Sequence, residues 1–100
     1  MVLDARKQEI LALVVRAHIA TGTPVSSGAI AREYGSRLSS ATIRHEMASL
    51  EEAGFLRQPH TSAGRAPTGM AYEFYAQEVA LQRRLSQADQ NWIDRNLSGV

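Results

Sequence analysis

Apolar residues recur at helical spacing through four segments of this chain, and glycine or proline separates the first three. The first segment begins after Asp4, whose carboxylate can cap a helix, and ends at Gly22. The second covers residues 28–34 and follows Ser26 or Ser27 as its cap. The apolar stripe of the first segment consists of Ile10, Leu11, Val14, His18 and Ile19. We therefore predict a long first helix and a shorter second one.

The third segment, residues 39–53, carries two faces of different character. Ser39 is placed to cap it, and Gly54 suits the left-handed conformation that ends helices. Its apolar face consists of Ile43, Met47 and Leu50, at i, i+4 and i+7. The opposite face consists of Ala41, His45, Ala48 and Ser49, with Thr42 and Arg44 on its two edges. A helix that enters the DNA major groove needs such a short, polar face, although an amphipathic helix with a solvated face has the same periodicity.

A short hairpin is expected after the third helix. Residues 55–58 predict a brief strand bounded by Gly54 and Pro59, and residues 66–67 bring the chain back. Between them lies HTSAGR, residues 60–65, which is small, polar and positively charged. Serine, threonine and glycine are also common in ordinary solvent loops. The position directly after the polar helix, and an arginine beside a glycine that lets the backbone approach a partner, favour a wing.

The last third of the chain predicts a fourth helix, capped by Thr68 and running over residues 69–85. Its apolar residues form two faces, one with Tyr72, Tyr75 and Val79 and the other with Phe74, Leu81 and Leu85. Ser86 with Asp89 matches a capping box that would start a separate last segment. The apolar residues of that segment are Trp92, Ile93 and Leu97. Two apolar faces and an uncovered tryptophan predict a partner beyond this domain.

Two helices joined by a short turn containing Gly35, with the polar face on the second, predict a helix-turn-helix. The first helix completes a trihelical core, whose predicted members are Ile10, Val14, Ile30, Leu38, Ile43, Met47 and Leu50. The expected fold class is mainly α, a winged helix-turn-helix with a three-helix core, a short β-hairpin wing and a C-terminal helical extension. We expect the winged-helix domain to cover residues 1–68 and the extension to cover residues 69–100.

Charge is nearly balanced over the whole chain but not along it. The 100 residues include 11 basic and 10 acidic side chains, for a net charge of +1. A nucleic-acid-binding domain is usually more basic, so the total charge is a weak argument for such a partner. Residues 34–45 and 53–72 contain no acid but do contain arginines. The positive charge is therefore concentrated around the polar helix and the loop after it.

The chemical groups and their spacing argue against an enzyme. There is no cysteine for a disulfide or a thiolate metal site, and His18, His45 and His60 lack the spacing of metal ligands. Ser62 lies two residues from His60, but this pair alone is not a catalytic triad. We expect no catalytic site, no cofactor and no metal.

The chain also lacks the signals of a membrane or exported protein. No apolar run approaches the ~18 residues that a transmembrane helix needs. The first residues lead directly into a charged helical pattern rather than into the apolar core of a signal peptide. We therefore expect a cytoplasmic protein.

One stretch of the chain, residues 38–68, reads LSSATIRHEMASLEEAGFLRQPHTSAGRAPT. Its most distinctive part is QPHTSAGR, followed by PT and then by the pattern Y-x-FY. Together with ATGTPV at the end of the first helix, these motifs closely resemble the N-terminal domain of the HrcA family of heat-inducible transcription repressors. The resemblance covers residues 6–75 and continues weakly through LSQADQNWIDRNL. One departure is His45, which stands where the family usually has asparagine.

The resemblance implies a winged-helix DNA-binding domain that represses chaperone genes in the heat-shock stress response. It implies double-stranded DNA as the partner, in the form of an inverted-repeat operator called CIRCE, bound by a homodimer. It also implies a much longer C-terminal part for dimerisation and for response to the GroE chaperonin. We therefore expect the chain to be an N-terminal fragment or a shortened relative.

Eight residues are expected at the DNA. Ser40, Thr42, Arg44 and His45 approach bases or nearby phosphates, Arg37 contacts the backbone, and His60, Ser62 and Arg65 of the wing reach phosphate or the minor groove. The sequence leaves open which of them contact bases and which contact phosphates. The alternative function is a winged-helix protein-interaction module without DNA specificity, which the low net charge and the apolar residues of the fourth helix favour.

Overall fold

The chain folds into a helical domain with one small sheet, as described by a computed structural model that covers residues 3–60 and 63–97. In those residues the elements are α1 (Ala5–Thr21), α2 (Ser27–Tyr34), a short 3-10 turn (Gly35–Arg37), α3 (Ser40–Glu52), β1 (Leu56–Arg57), β2 (Ala66–Pro67) and α4 (Gly69–Leu97). This is the predicted mainly α winged helix-turn-helix with a helical extension.

Local capping sets the ends of the first two helices. The Asp4 carboxylate accepts a hydrogen bond from the backbone N–H of Lys7 at 2.8 Å, and Gly22 ends α1 with a φ of 69°. Ser26 caps α2, because its hydroxyl accepts a bond from the N–H of Ala29 at 3.1 Å. The second helix therefore begins at Ser27, one residue earlier than predicted.

The hydrophobic core lies where α1, α2 and α3 meet. Its buried members are Leu3, Ile10, Leu11, Val14, Val15, Val25, Ile30, Tyr34, Ile43, Met47, Leu50, Leu56 and Ala71, and Leu38 packs at its edge. The predicted core residues are thus confirmed. Ile19, at the end of the predicted apolar stripe of α1, lies outside the core and is 59% exposed. The reason is that residues 19–23 are all exposed, so the end of α1 extends past the core.

The two strands form an antiparallel hairpin in which Leu56 lies opposite Pro67, and Arg57 lies opposite Ala66. The first strand is shorter than the predicted residues 55–58 but lies within them. Leu56 and Ala66 are buried and attach the hairpin to the core. The predicted wing therefore starts from a fixed base.

The fourth helix differs from the prediction at both of its expected caps. It runs without interruption from Gly69 to Leu97, so a separate segment starting at Ser86 is wrong. Inside a continuous helix the backbone N–H groups are already bonded to the preceding turn, which leaves Ser86 nothing to cap. The Thr68 hydroxyl donates instead to the carbonyl of Gly54 at 2.7 Å, while its own carbonyl accepts from the N–H of Ala71 at 3.0 Å.

Only the beginning of α4 packs on the core. Ala71 is fully buried there, and Phe74 and Tyr75 lie against it. Residues 81–96 are exposed along their whole length, including the large apolar side chains of Leu81, Leu85, Trp92 and Ile93. Among the described residues, no helix has the length and apolar character needed to cross a membrane.

Candidate nucleic-acid interface

The third helix presents a polar face to solvent, opposite its buried stripe. Ile43, Met47 and Leu50 lie in the core. On the other side the exposed residues of its first turns are Ser40, Ala41, Arg44, His45 and Ala48. The helix begins at Ser40 because the Ser39 hydroxyl accepts a bond from the N–H of Thr42 at 3.1 Å. Small neighbours around Arg44 and His45 leave both side chains accessible to a partner.

Thr42 is less available than its neighbours on α3. Its side chain is half-buried, and its hydroxyl lies 3.0 Å from the hydroxyl of Ser39. Thr42 therefore belongs to the capping arrangement at the start of the helix. Of the four predicted contacts on α3, the structure exposes Ser40, Arg44 and His45.

Arg37 lies in a different surface region. Its Nε donates to the carbonyl of Tyr34 at 3.3 Å, and its guanidinium carbon lies 4.5 Å from the centroid of the Tyr34 ring. The Tyr34 hydroxyl in turn donates to the Glu9 carboxylate, and this hydrogen bond raises the pKa of Tyr34. Arg37 lines a cleft of about 360 Å³ between α1, α2 and α4. Arg37 is thus engaged with Tyr34 and lines this cleft, whereas Arg44 lines the groove beside the hairpin.

Of the three DNA contacts predicted in the wing, two lie in the described part of the chain. His60 is exposed. Arg65 is half-buried; its Nε is bound to the Glu51 carboxylate, and Nη1 donates to the carbonyl of Ala63 at 3.1 Å. Ser62 lies outside the described residues.

A groove of about 320 Å³ separates the hairpin from α3. It is lined by Val25, Ser26, Ser27, Arg44, Met47, Ala63 and Arg65. Two cationic side chains, from α3 and from the hairpin, therefore meet in one groove. Ser26 and Ser27 were missed as site candidates because the sequence suggested only a capping role for them. The signal that could have found them is their position at the start of the first helix of a helix-turn-helix.

The acids of α3 are largely compensated within the domain. Glu46 is 4% exposed, and its carboxylate lies 3.2 Å from Arg6 Nε and 3.4 Å from Lys7 Nζ. The hydrogen bond to Asp4 and the contact with Glu46 raise the pKa of Lys7. Glu51 is paired with Arg65. Arg44 therefore supplies the positive charge of the exposed face in the first turns of α3, while Glu52 in the last turn is exposed. This local charge is present even though the net charge of the chain is only +1.

The exposed groups are hydrogen-bonding and cationic side chains on a helix, which suit recognition of a polyanion better than catalysis. In the described part of the chain, no group of three or more histidine, aspartate or glutamate side chains is placed to hold a metal ion.

Comparison with curated proteins gives many matches of one kind. The proteins named heat-inducible transcription repressor HrcA from Prosthecochloris aestuarii and Moorella thermoacetica are 43% and 46% identical over 95 residues, which is 95% of this chain. The one from Desulforudis audaxviator is 54% identical over 79 residues. The chain spans about a quarter of these relatives, between 23% and 28% of their length at their N-terminal end. The predicted resemblance is confirmed. No protein-family profile matches the chain.

A solved structure supports the fold. A crystal structure described as that of a hypothetical protein matches 76% of this chain with a TM-score of 0.73 and 43% identity. The match covers 24% of that chain. At this identity and score the mainly α winged-helix fold is confirmed.

Proposed function

We propose that this chain, a homologue of the N-terminal quarter of the HrcA repressors, is the DNA-binding part of a transcription repressor of heat-shock (chaperone) genes. The observation that carries the proposal is the exposed polar face at the start of α3, with Arg44 and His45 beside a β-hairpin. The major groove of B-DNA admits one α-helix, and an arginine can bond two acceptors of guanine there. Small residues such as Ala41 and Ala48 let the helix approach the base edges.

The eight predicted residues take different roles in this proposal. Ser40, Arg44 and His45 read bases or adjacent phosphates, and Thr42 supports them through its contacts with Ser39, which caps the helix. Arg37 contacts the DNA backbone from the turn before α3. In the wing, His60 and Ser62 contact phosphate or the minor groove, and Arg65 lies at the base of the hairpin, where it pairs with Val25. Exposure supports the roles of Arg37, Ser40, Arg44, His45 and His60. The role of Ser62 follows from the sequence, and mutation can test each assignment.

The proposed operator is a CIRCE-type inverted repeat bound by a homodimer of the longer protein in the cytoplasm. Two-fold symmetric readers place their two recognition helices in successive major grooves, so half-sites are separated by turns of the duplex. Exposed apolar residues of α4, at i, i+4, i+7 and i+11, offer a seam for the second copy: Leu81, Leu85, Ala88 and Trp92. Response to the GroE chaperonin would belong to the longer C-terminal part, with residues 69–100 leading into it from the domain of residues 1–68.

The test is fluorescence anisotropy of the chain with a CIRCE-type inverted repeat and with a scrambled duplex, over a salt series. We expect tighter binding to the repeat, and a log–log salt slope of about 0.9 for each phosphate neutralised. Equal, weak binding to both duplexes would place specificity in a dimer that this chain does not form. No binding at low salt would overturn the proposal.

The second candidate is a protein-interaction module with the same fold and no DNA specificity. This function is favoured by two large apolar residues of α4 that face solvent, Leu85 (57% exposed) and Trp92 (63% exposed). Sedimentation separates its consequences from those of a dimer: a monomer at high concentration that also fails to bind DNA would support the interaction module.

A further inference from the structure

Arg65 connects three parts of the domain that are distant in sequence. Its backbone pairs with Val25 in both directions: Val25 N–H donates to the Arg65 carbonyl at 2.8 Å, and Arg65 N–H donates to the Val25 carbonyl at 2.9 Å. Its guanidinium Nε is bound to Glu51 in the last turn of α3. One residue thus joins the hairpin, the loop between α1 and α2, and the end of α3.

The neighbouring glycine tightens the same junction. Gly64 is buried, and a Cβ at this position would lie 3.0 Å from the carbonyl carbon of Pro24 and 3.0 Å from the oxygen of Val25. Such short contacts are with backbone, which cannot rotate away as a side chain can. The hairpin base is therefore seated against residues 24–25 as closely as a glycine allows.

The guanidinium of Arg65 is engaged within the protein. Besides Glu51, it donates from Nη1 to the carbonyls of Ala63 at 3.1 Å and of Gly64 at 3.5 Å. The side chains of Arg65 and Glu51 are 22% and 37% exposed. An arginine that binds phosphate presents its planar fork to the phosphate oxygens, and here a carboxylate already occupies Nε.

We infer that Arg65 is a positioning residue: its ion pair with Glu51 and its backbone bridge to Val25 hold the wing at a set angle to α3. Arg65 then supports DNA binding, which rests on the function proposed above, by placing the wing. It does not do so by neutralising a phosphate. The inference also gives Glu51 a supporting role, although an acid close to a polyanion would ordinarily weaken binding.

The experiment compares charge-removing variants with matched neighbours. The test variants are Arg65→Gln, Arg65→Lys, Glu51→Gln and the double variant Arg65→Gln with Glu51→Gln. The control for the acid is Glu52→Gln, an exposed residue in the same turn of α3. The control for the base is Arg57→Gln, an exposed residue on the opposite strand of the hairpin. The anisotropy salt series is measured for all of them on the same duplex.

The two roles predict opposite results. For a positioning residue, Glu51→Gln and Arg65→Gln both weaken binding, the double variant is no weaker than the worse single one, and the salt slope stays unchanged. Their coupling should reach at least about twofold in Kd. Arg65→Lys should bind DNA no better than Arg65→Gln does, because the lysine ammonium lacks the planar fork of a guanidinium. If Arg65 instead binds phosphate, Arg65→Gln lowers the slope by about 0.9, Arg65→Lys keeps it, and Glu51→Gln strengthens binding as Glu52→Gln does. That second pattern overturns the inference.

A measurement without DNA separates this inference from the proposed function. Amide hydrogen exchange reports the two backbone bonds directly, at the N–H groups of Val25 and Arg65. Both should exchange faster in Glu51→Gln and Arg65→Gln, while the amide of Ile43 in α3 and both control variants stay at the wild-type rate. Unchanged exchange at Val25 and Arg65 overturns the inference, even if the wild-type chain binds its operator. Faster exchange in a chain that binds no DNA would support the inference and overturn only the function.

Discussion

The carboxylate of Glu46, in the middle of α3, lies 3.2 Å from the guanidinium Nε of Arg6, in the first turn of α1. Lys7 approaches the same carboxylate at 3.4 Å. Glu46 is nearly buried, whereas Arg6 keeps half of its side chain in solvent. The pair ties the rotation of the proposed recognition helix to the first helix, which sets the side of α3 that faces outward.

Replacing Glu46 with glutamine should destabilise the domain by about 1 kcal/mol, well below the loss for a fully buried ion pair, because the cations left behind can be hydrated. Urea unfolding followed by circular dichroism measures the change. Glu52→Gln on the same helix is the control, and its effect should stay within about 0.5 kcal/mol because that side chain is exposed. Equal effects of the two variants would contradict a special role for Glu46.

The loss of folding stability at acid pH should depend on Asp4. Hydrogen bonding from the Lys7 backbone N–H, and then from its side chain, lowers the pKa of Asp4 below its ordinary value of 3.8. Its contribution is therefore present above pH 3.8 and is lost as the pH falls through the lower pKa of the folded state. Asp4→Asn keeps a good helix cap and removes the titration. Thermal unfolding between neutral and acid pH should show a flatter acid limb in Asp4→Asn, and an identical limb would contradict this assignment.

Gly54 and Gly69 should respond in opposite ways to alanine. Gly54 has a φ of 91°, a left-handed conformation that costs an L-residue about 1–2 kcal/mol, and a new Cβ would also meet Met70 Sδ at 3.4 Å. Gly69 starts α4 with open space around it, so Gly69→Ala should stabilise by about 0.4–1 kcal/mol. Denaturant midpoints of both variants check this. A stabilising Gly54→Ala would show that the turn after α3 is not held in the left-handed region.

Two serines distinguish a real helix cap from a sequence match to one. Ser39→Ala removes the bond to the Thr42 N–H and should destabilise by about 1 kcal/mol. Ser86 lies inside α4, where alanine has the higher helix propensity, so Ser86→Ala should stabilise by less than about 0.7 kcal/mol. Circular dichroism during denaturation gives both values. A loss of helical circular dichroism signal in Ser86→Ala would show that the helix breaks at Ser86, as the capping-box pattern predicted.

Substitutions of Arg44 and His45 should change the base preference of DNA binding. If Arg44 makes a bidentate base contact, Arg44→Ala weakens operator binding by about 1–3 kcal/mol and relaxes sequence preference. His45→Asn should shift base preference and leave the salt slope unchanged, because the substitution alters hydrogen-bonding groups and not the formal charge at pH 7. Anisotropy on the repeat and on single-base variants measures both effects. A uniform loss on all duplexes with a shallower slope would make Arg44 a phosphate contact.

Several features of the domain are determined by residues close together in the sequence. Asp4 and Ser39 cap helices by bonding to N–H groups three residues away, and Gly22 adopts the left-handed conformation that ends one. The apolar face of α3 follows from its spacing alone. The winged-helix fold could therefore be predicted from the sequence, because each of these signals depends on local backbone geometry.

Other features were decided by packing between distant segments. The partners Arg6 and Glu46 are 40 residues apart, and Arg65 and Glu51 are 14 apart, so only the assembled helices and hairpin bring their charges together. Ser86 has the sequence of a cap, but the continuous helix has already bonded the N–H groups it would serve. Local sequence thus determined where helices start and stop, whereas tertiary contacts decided which side chains are paired and which remain available to a partner. The physical reason is that a cap is satisfied within one turn, while a long-range ion pair depends on the position of every element that separates its two groups.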